Sequence, residues 1–220
     1  MIRVDFHCHT YHSEDSLAKI EDLLKACRRK GVDRLVITDH NSIAGALEAK
    51  HMDPERIIVG EEIWTTGGEL LACFVREEVP YGLAPLEAIQ CLREQGAFIS
   101  VSHPLDALRG WDLKSLMEIL PHVDALETFN ARCMLPRYNR QAQNLARQHN
   151  LPGTSGSDAH TPSEIGAATL ILEEFTNAEE LRQVIRRAIP KNRLSGPWVH
   201  FASRRAVKLK KQLAALESSG

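Results

Sequence analysis

Short apolar runs alternate with longer amphipathic ones along most of this 220-residue chain, and that alternation limits the possible folds more than any other feature. VDFHCH, near the start, is followed by SLAKIEDLLKACRRKG, where Leu17, Ile20, Leu23, Leu24 and Cys27 recur at helical spacing. Ser16 suits an N-cap there and Gly31 a C-terminal stop. RLVITDH precedes a shorter helical stretch through IAGALEAK. RIIVGEE is a third strand candidate, and GELLACFV is a fourth, its hairpin or sheet neighbour across the Thr65–Gly68 turn. PLEAIQCLREQG, LKSLMEIL, Arg137–His149 and AEELRQVIRRA read as helices; AFISVSHP, VDALETFN, LPGTSGSDAH and GAATLIL read as strands. Such a series builds βαβ units on a mainly parallel sheet, as a barrel or an open doubly wound sheet.

No linker rich in Pro, Gly or Ser divides the chain, so residues 1–220 are expected to form one domain. It should end in a basic helix at about 200–216, where RRAVKLKK accompanies Leu209, Leu213 and Leu216; a solvated basic face is the simplest expectation. A net charge of -2 gives no global electrostatic case for nucleic acid or a membrane. Five scattered cysteines without C-x-x-C spacing argue against a disulfide framework and for a cytoplasmic setting. No signal peptide or membrane-length apolar run is expected.

The apolar runs share the way they end. VDF ends in His7-Cys8-His9, LVIT in Asp39-His40, IIVG in Glu61-Glu62, ISVS in His103, DALE in Glu127 with Asn130 close by, and GTSGS in Asp158-Ala159-His160. On an extended strand His7 and His9 point to one side and Cys8 to the other. Alone, H-x-H is more often two polar residues at a strand end than a metal clamp. Carboxyl ends of parallel strands, however, gather on one face of a βα barrel. Imidazoles and carboxylates crowded there would repel and lose hydration unless protons or a cation compensated, and mixed shells of this kind suit Zn, Mn or Fe.

These residues resemble the PHP family, the polymerase and histidinol phosphatase domain. The likeness runs from H-x-H at His7 and His9, through Asp15, T-D-H at Thr38–His40, G-E-E with Glu62 and S-H-P with His103, to G-S-D-A-H ending in Asp158 and His160. It implies a distorted seven-stranded βα barrel whose strand ends hold two or three divalent ions. By that resemblance His7, His9, Glu62 and Asp158 hold one ion, and Glu62 bridges to a second bound also by His103. Asp15, His40 and His160 hold a third, and Asp39 of T-D-H joins the candidate ligands. The histidine that some members place on the strand after S-H-P is missing from ALETFNAR, leaving Glu127, Asn130 or water for that position.

The expected activity is a metal-dependent phosphoesterase acting on a small phosphorylated metabolite, nucleotide-like or histidinol-phosphate-like. A hydroxide shared by two ions would attack phosphorus, with Glu62, His103 and Asp158 as the catalytic set and His103 a candidate acid. Arg132, directly after VDALETFN, is the first candidate for binding phosphate, and Arg137 the second. A nuclease trimming oligonucleotide ends, and a non-catalytic metal-binding module like the accessory domain of bacterial replicative polymerases, are the alternatives. His12 is expected in solvent, and His51, His122 and His149 away from metal. Glu61 should face away from Glu62 and Cys8 toward the packed side; His200 is undecided.

Overall fold

The structure, a computed structural model, describes residues 1–217. Strands β1 (Ile2–Asp5), β2 (Arg34–Ile37) and β3 (Ile57–Trp64) are parallel neighbours. β4 (Glu69–Cys73) runs antiparallel between β3 and β5 (Phe98–Val101), and β6 (Ala125–Asn130) and β7 (Gly153–Gly156) continue parallel from β5. β8 (Ala168–Leu172) and β9 (Ile189–Asn192) attach antiparallel on the far side of β1. The chain beyond β1 meets the end of β7: Phe6 N–H donates to the Ser155 carbonyl at 3.3 Å, His9 N–H donates to the Ala159 carbonyl at 2.8 Å, and Cys8 and Ala159 form a parallel bridge. The sheet therefore curls into a nearly closed barrel. It has nine strands among the described residues, where the family resemblance implies seven and the apolar runs mark eight. IPKN of β9 is mostly exposed and has no apolar alternation to announce it; backbone pairing with β8 alone defines it.

Helices α1 (Ile20–Lys30), α2 (Ala44–Met52), α3 (Pro85–Glu94), α4 (Leu113–Ile119), α5 (Pro136–Gln148) and α6 (Ala178–Val184) follow the predicted runs closely. The exception is the start of α1, which lies at Ile20 with Lys19 as its cap. Ser16 instead donates its hydroxyl to the His160 carbonyl at 3.1 Å, and Leu17 is exposed. Residues 11–19 are spent on a loop that carries Asp15 toward the strand ends. Gly31 does stop the helix, in the left-handed conformation (φ 64°) that costs glycine least.

Leu35, Ile37 and Ile57 pack outward with Leu23 and Leu24 of α1, whereas Val36, Ile58, Cys73 and Phe98 join Leu181 of α6. Cys73 ends β4 and pairs with Phe98 at the start of β5, so this second cluster lies at the end of the barrel away from His103. The last helix, α7 (Val199–Glu217), lies where predicted with Arg204, Arg205, Lys208 and Lys211 exposed, but its other side is docked on the barrel. Arg132 donates to the Val199 carbonyl (3.3 Å) and the Ser203 hydroxyl (2.9 Å), Lys210 donates to the carbonyls of Tyr11 and Ser13, and Ala206 is buried. These contacts fold α7 back over the barrel mouth. No helix among the described residues is long and apolar enough to cross a membrane.

Candidate metal centre

His7 and His9 are fully buried at the mouth, and Cys8 between them points into the core beside α1. Their Nε2 atoms are 3.0 Å apart. Glu62 Oε2, from β3, lies 3.2 and 3.3 Å from them, and Asp158 Oδ1, just beyond β7, lies 3.6 and 3.4 Å away. Ligand atoms that share one ion stand about 3 to 4 Å apart; His7, His9 and Glu62 meet this, while Asp158 approaches the two imidazoles without joining that group. The other Glu62 oxygen turns to His103 Nε2 at 3.4 Å, and that nitrogen is 2.9 Å from Glu69 Oε2. On the opposite side, His160 Nε2 is 2.7 Å from Asp15 Oδ2, and His40 Nε2 is 3.6 Å from Asp15 Oδ1.

Three groups result, each with its ligand atoms within 4.8 Å of one another: His9-Asp15-His40-His160, His7-His9-Glu62, and Glu62-Glu69-His103. Asp15 Oδ1 is buried without a hydrogen-bond partner, an unmet acceptor at the place a cation would satisfy. This donor set of imidazole nitrogens and carboxylate oxygens fits divalent ions.

The electrostatics agree. Burial, together with His160 and His40, pushes His9 down to about 4, so it is a neutral imidazole with a free lone pair near pH 7. Burial opposes ionisation of Glu62 and Asp158, yet their neighbouring histidines, and Arg109 beside Asp158, hold both well below the usual carboxylate range. Against the same burial, Glu62, Asp158 and Glu127 raise His7 well above the ordinary imidazole range. Binding a divalent ion there would therefore release protons.

A second ring of contacts aims these ligands. Glu127 Oε1 is 3.0 Å from His7 Nδ1, directing Nε2 into the cluster, and its other oxygen accepts from His103 N–H (2.8 Å) and Asn130 (3.0 Å). Glu127 and Asn130, the two side chains weighed for the missing histidine, are thus engaged with His7 and His103, and the carboxylate that groups with Glu62 and His103 is Glu69. Asp39, a predicted ligand, lies outside the three groups. Its oxygens accept from Thr10 N–H (2.6 Å), the Thr10 hydroxyl (2.6 Å) and the Ser13 hydroxyl (2.7 Å), while Ser13 Oγ is 3.1 Å from His9 Nδ1. Asp39 thereby orients His9 through Ser13. His103 (φ 23°) and Asp158 (φ 52°) occupy the left-handed region that non-glycine residues avoid, strain of the kind that gathers at functional sites.

Arg132, predicted to bind phosphate, is buried and committed to Glu164 (3.3 Å), the Asp158 carbonyl and α7. Arg137 stands exposed, its guanidinium over the Tyr138 ring. Arg109 and Arg204 also line the mouth; Arg109 was not anticipated because RGW lies in a loop with no periodic signal. Arg109 donates to Asp158 Oδ2 at 2.6 Å, and its Nη2 has no hydrogen-bond partner. His12 bonds Glu48 (2.9 Å), and His51, His122 and His149 are exposed, all outside the three groups. Glu61 turns away from Glu62, accepts from Val79 N–H, and is pushed by burial up to about 7. His200 lines the mouth.

Residues 136–189, from α5 through α6, match the family model described as PHP-associated. Two uncharacterized proteins of Methanocaldococcus jannaschii are similar: MJ1587, 33% identical over 59% of this chain and 82% of its own length, and MJ0417, 34% identical over 79% and 72%. The chain belongs to the PHP-domain family. Solved structures share the fold of this PHP domain at low identity. PsfC of Pseudomonas syringae superposes with a TM-score of 0.68 at 18% identity, covering 97% of this chain and 100% of that one. A Bifidobacterium adolescentis protein assigned as a metal-dependent phosphoesterase gives 0.63 at 17%, covering 84% and 96%. A lesion-specific endonuclease of Pyrococcus furiosus gives 0.61 at 15%, covering 84% of this chain and 56% of that one.

Proposed function

We propose that this PHP domain is a metal-dependent hydrolase, and specifically a phosphoesterase acting on a small phosphorylated molecule. The observation that carries this is the array of ligand atoms around Glu62, which joins two groups through its two oxygens. His7, His9, Glu62 and Asp158 would hold one ion, Glu62, Glu69 and His103 a second, and His9, Asp15, His40 and His160 are the candidates for a third. Zn, Mn and Fe all suit these donors. Such ions supply an activated water near neutral pH and offset charge growing on phosphoryl oxygens. Arg109, which lines the mouth and is ion-paired to Asp158 at 2.6 Å and to Asp106 at 3.6 Å, is the guanidinium we assign to orienting a phosphoryl oxygen. His103 faces Glu62 and Glu69 through Nε2, which makes it a ligand rather than the acid for the leaving oxygen.

The test is metal analysis of the purified protein followed by turnover of a phosphomonoester panel. Asp158→Ala should lower kcat/KM by about 10³-fold or more. Full activity in that variant would remove the mechanism, and tight metal binding without hydrolysis of any ester would favour the accessory-module alternative. The endonuclease fold likeness and the cationic side chains Arg109, His200 and Arg204 at the mouth keep a nuclease as a second reading. Oligonucleotide turnover that falls steeply with salt would favour it.

A further inference from the structure

Beside the mouth, itself a cavity of about 290 Å³, lies a second cavity of about 260 Å³. The two share a wall made by Arg109, Arg132, His200 and Arg204. On the mouth side this wall faces carboxylates and imidazoles. On the other side it faces Leu108, Met134, Pro197 and Phe201. Three of these are large apolar side chains left in solvent, with Leu108 82%, Met134 61% and Phe201 60% exposed. Grouped apolar side chains next to a polar centre are a common mark of a ligand surface.

Helix α7 supplies the key members. His200, Phe201 and Arg204 fall within about one turn, and the Arg204 guanidinium stands 5.8 Å from the centroid of the Phe201 ring. Arg204 has no hydrogen bond or ion pair among the described residues, so the shared wall carries unused donors beside Arg109, which is ion-paired to Asp158 and Asp106. The helix is tied to the barrel by Arg132 and Lys210, so Phe201 keeps its place in the lining of the second cavity.

We infer that α7 is the specificity element of this site: the apolar shelf of Leu108, Met134 and Phe201 takes a flat ring on the leaving half of the substrate, while Arg109 and Arg204 take phosphate oxygens. The inference rests on the phosphoesterase reading and deepens it. A flat ring can cover the Phe201 face and the Met134 thioether at once. A polyol such as glycerol would instead set hydroxyls against apolar side chains, leaving them without partners.

The test titrates the manganese-loaded protein with phenylphosphonate and methylphosphonate, which share the anionic group and differ in the ring. Phenylphosphonate should bind about tenfold more tightly. Phe201→Ala should shrink that preference to about threefold or less while leaving methylphosphonate binding unchanged; the side chain is largely exposed, and a melting curve checks that the variant is folded. Equal affinities in the native protein, or a preference untouched by both Phe201→Ala and Leu108→Ser, overturn the shelf alone. Failure of both phosphonates to bind overturns the phosphoesterase reading and the shelf with it.

Discussion

Asp39 follows an apolar run in T-D-H and so reads as a ligand, yet three donors from Thr10 and Ser13 saturate it. Glu69 opens β4, the wrong end of its strand for a site at carboxyl ends, yet its Oε2 is 2.9 Å from His103 Nε2. Which carboxylate meets an ion depends on what else competes for its oxygens, and a residue string does not record that competition. Glu69→Gln keeps the size of the side chain but removes its charge. It should lower the metal content by about one ion per chain and turnover by about 10- to 100-fold. Metal analysis alongside steady-state kinetics checks this; unchanged stoichiometry and rate would remove Glu69 from the ligands.

The element that places Glu69 is the β3–β4 hairpin. Thr65 N–H donates to the Gly68 carbonyl at 2.9 Å, and the chain reverses so that the first residue of β4 arrives at the mouth. The rule about carboxyl ends holds for parallel strands, and β4 is antiparallel to both neighbours. The closure of β1 against β7 matters equally. A Cβ at Gly156 would collide with His7 Cβ and crowd Glu127, so only glycine lets the strands approach closely enough for His7 to meet Glu62 and Asp158. Gly156→Ala should weaken metal affinity by about 10- to 100-fold with far-UV circular dichroism unchanged. Metal titration at native-like ellipticity measures it, and affinity equal to that of the native protein would show that the barrel seam yields without moving His7.

Across the whole molecule, the candidate site draws on β3, β4 and the loops after β1, β2, β5 and β7, so an ion there would tie together most of the barrel. Without ions, buried carboxylates and imidazoles must be offset by protons alone. Binding confined to the folded state stabilises by about 4 kcal/mol for each site at a thousandfold excess over Kd. Chelation should therefore lower the Tm by about 10 °C or more, with recovery on adding Mn or Zn. Calorimetry with and without chelator decides it; identical melting curves would mean that these groups hold no ion.

The alternation of apolar and amphipathic runs by itself determined the βα architecture, because periodicity of burial is written locally, residue by residue. The same strings placed His7, His9, Glu62, His103 and Asp158 at strand ends, and the parallel sheet gathered them. Glu69, Arg109 and the return of α7 over the mouth were not legible, nor was β9. Each depends on strand direction, loop path or a distant backbone partner, and those are settled only when the barrel closes and long-range hydrogen bonds choose among sites of equal local merit.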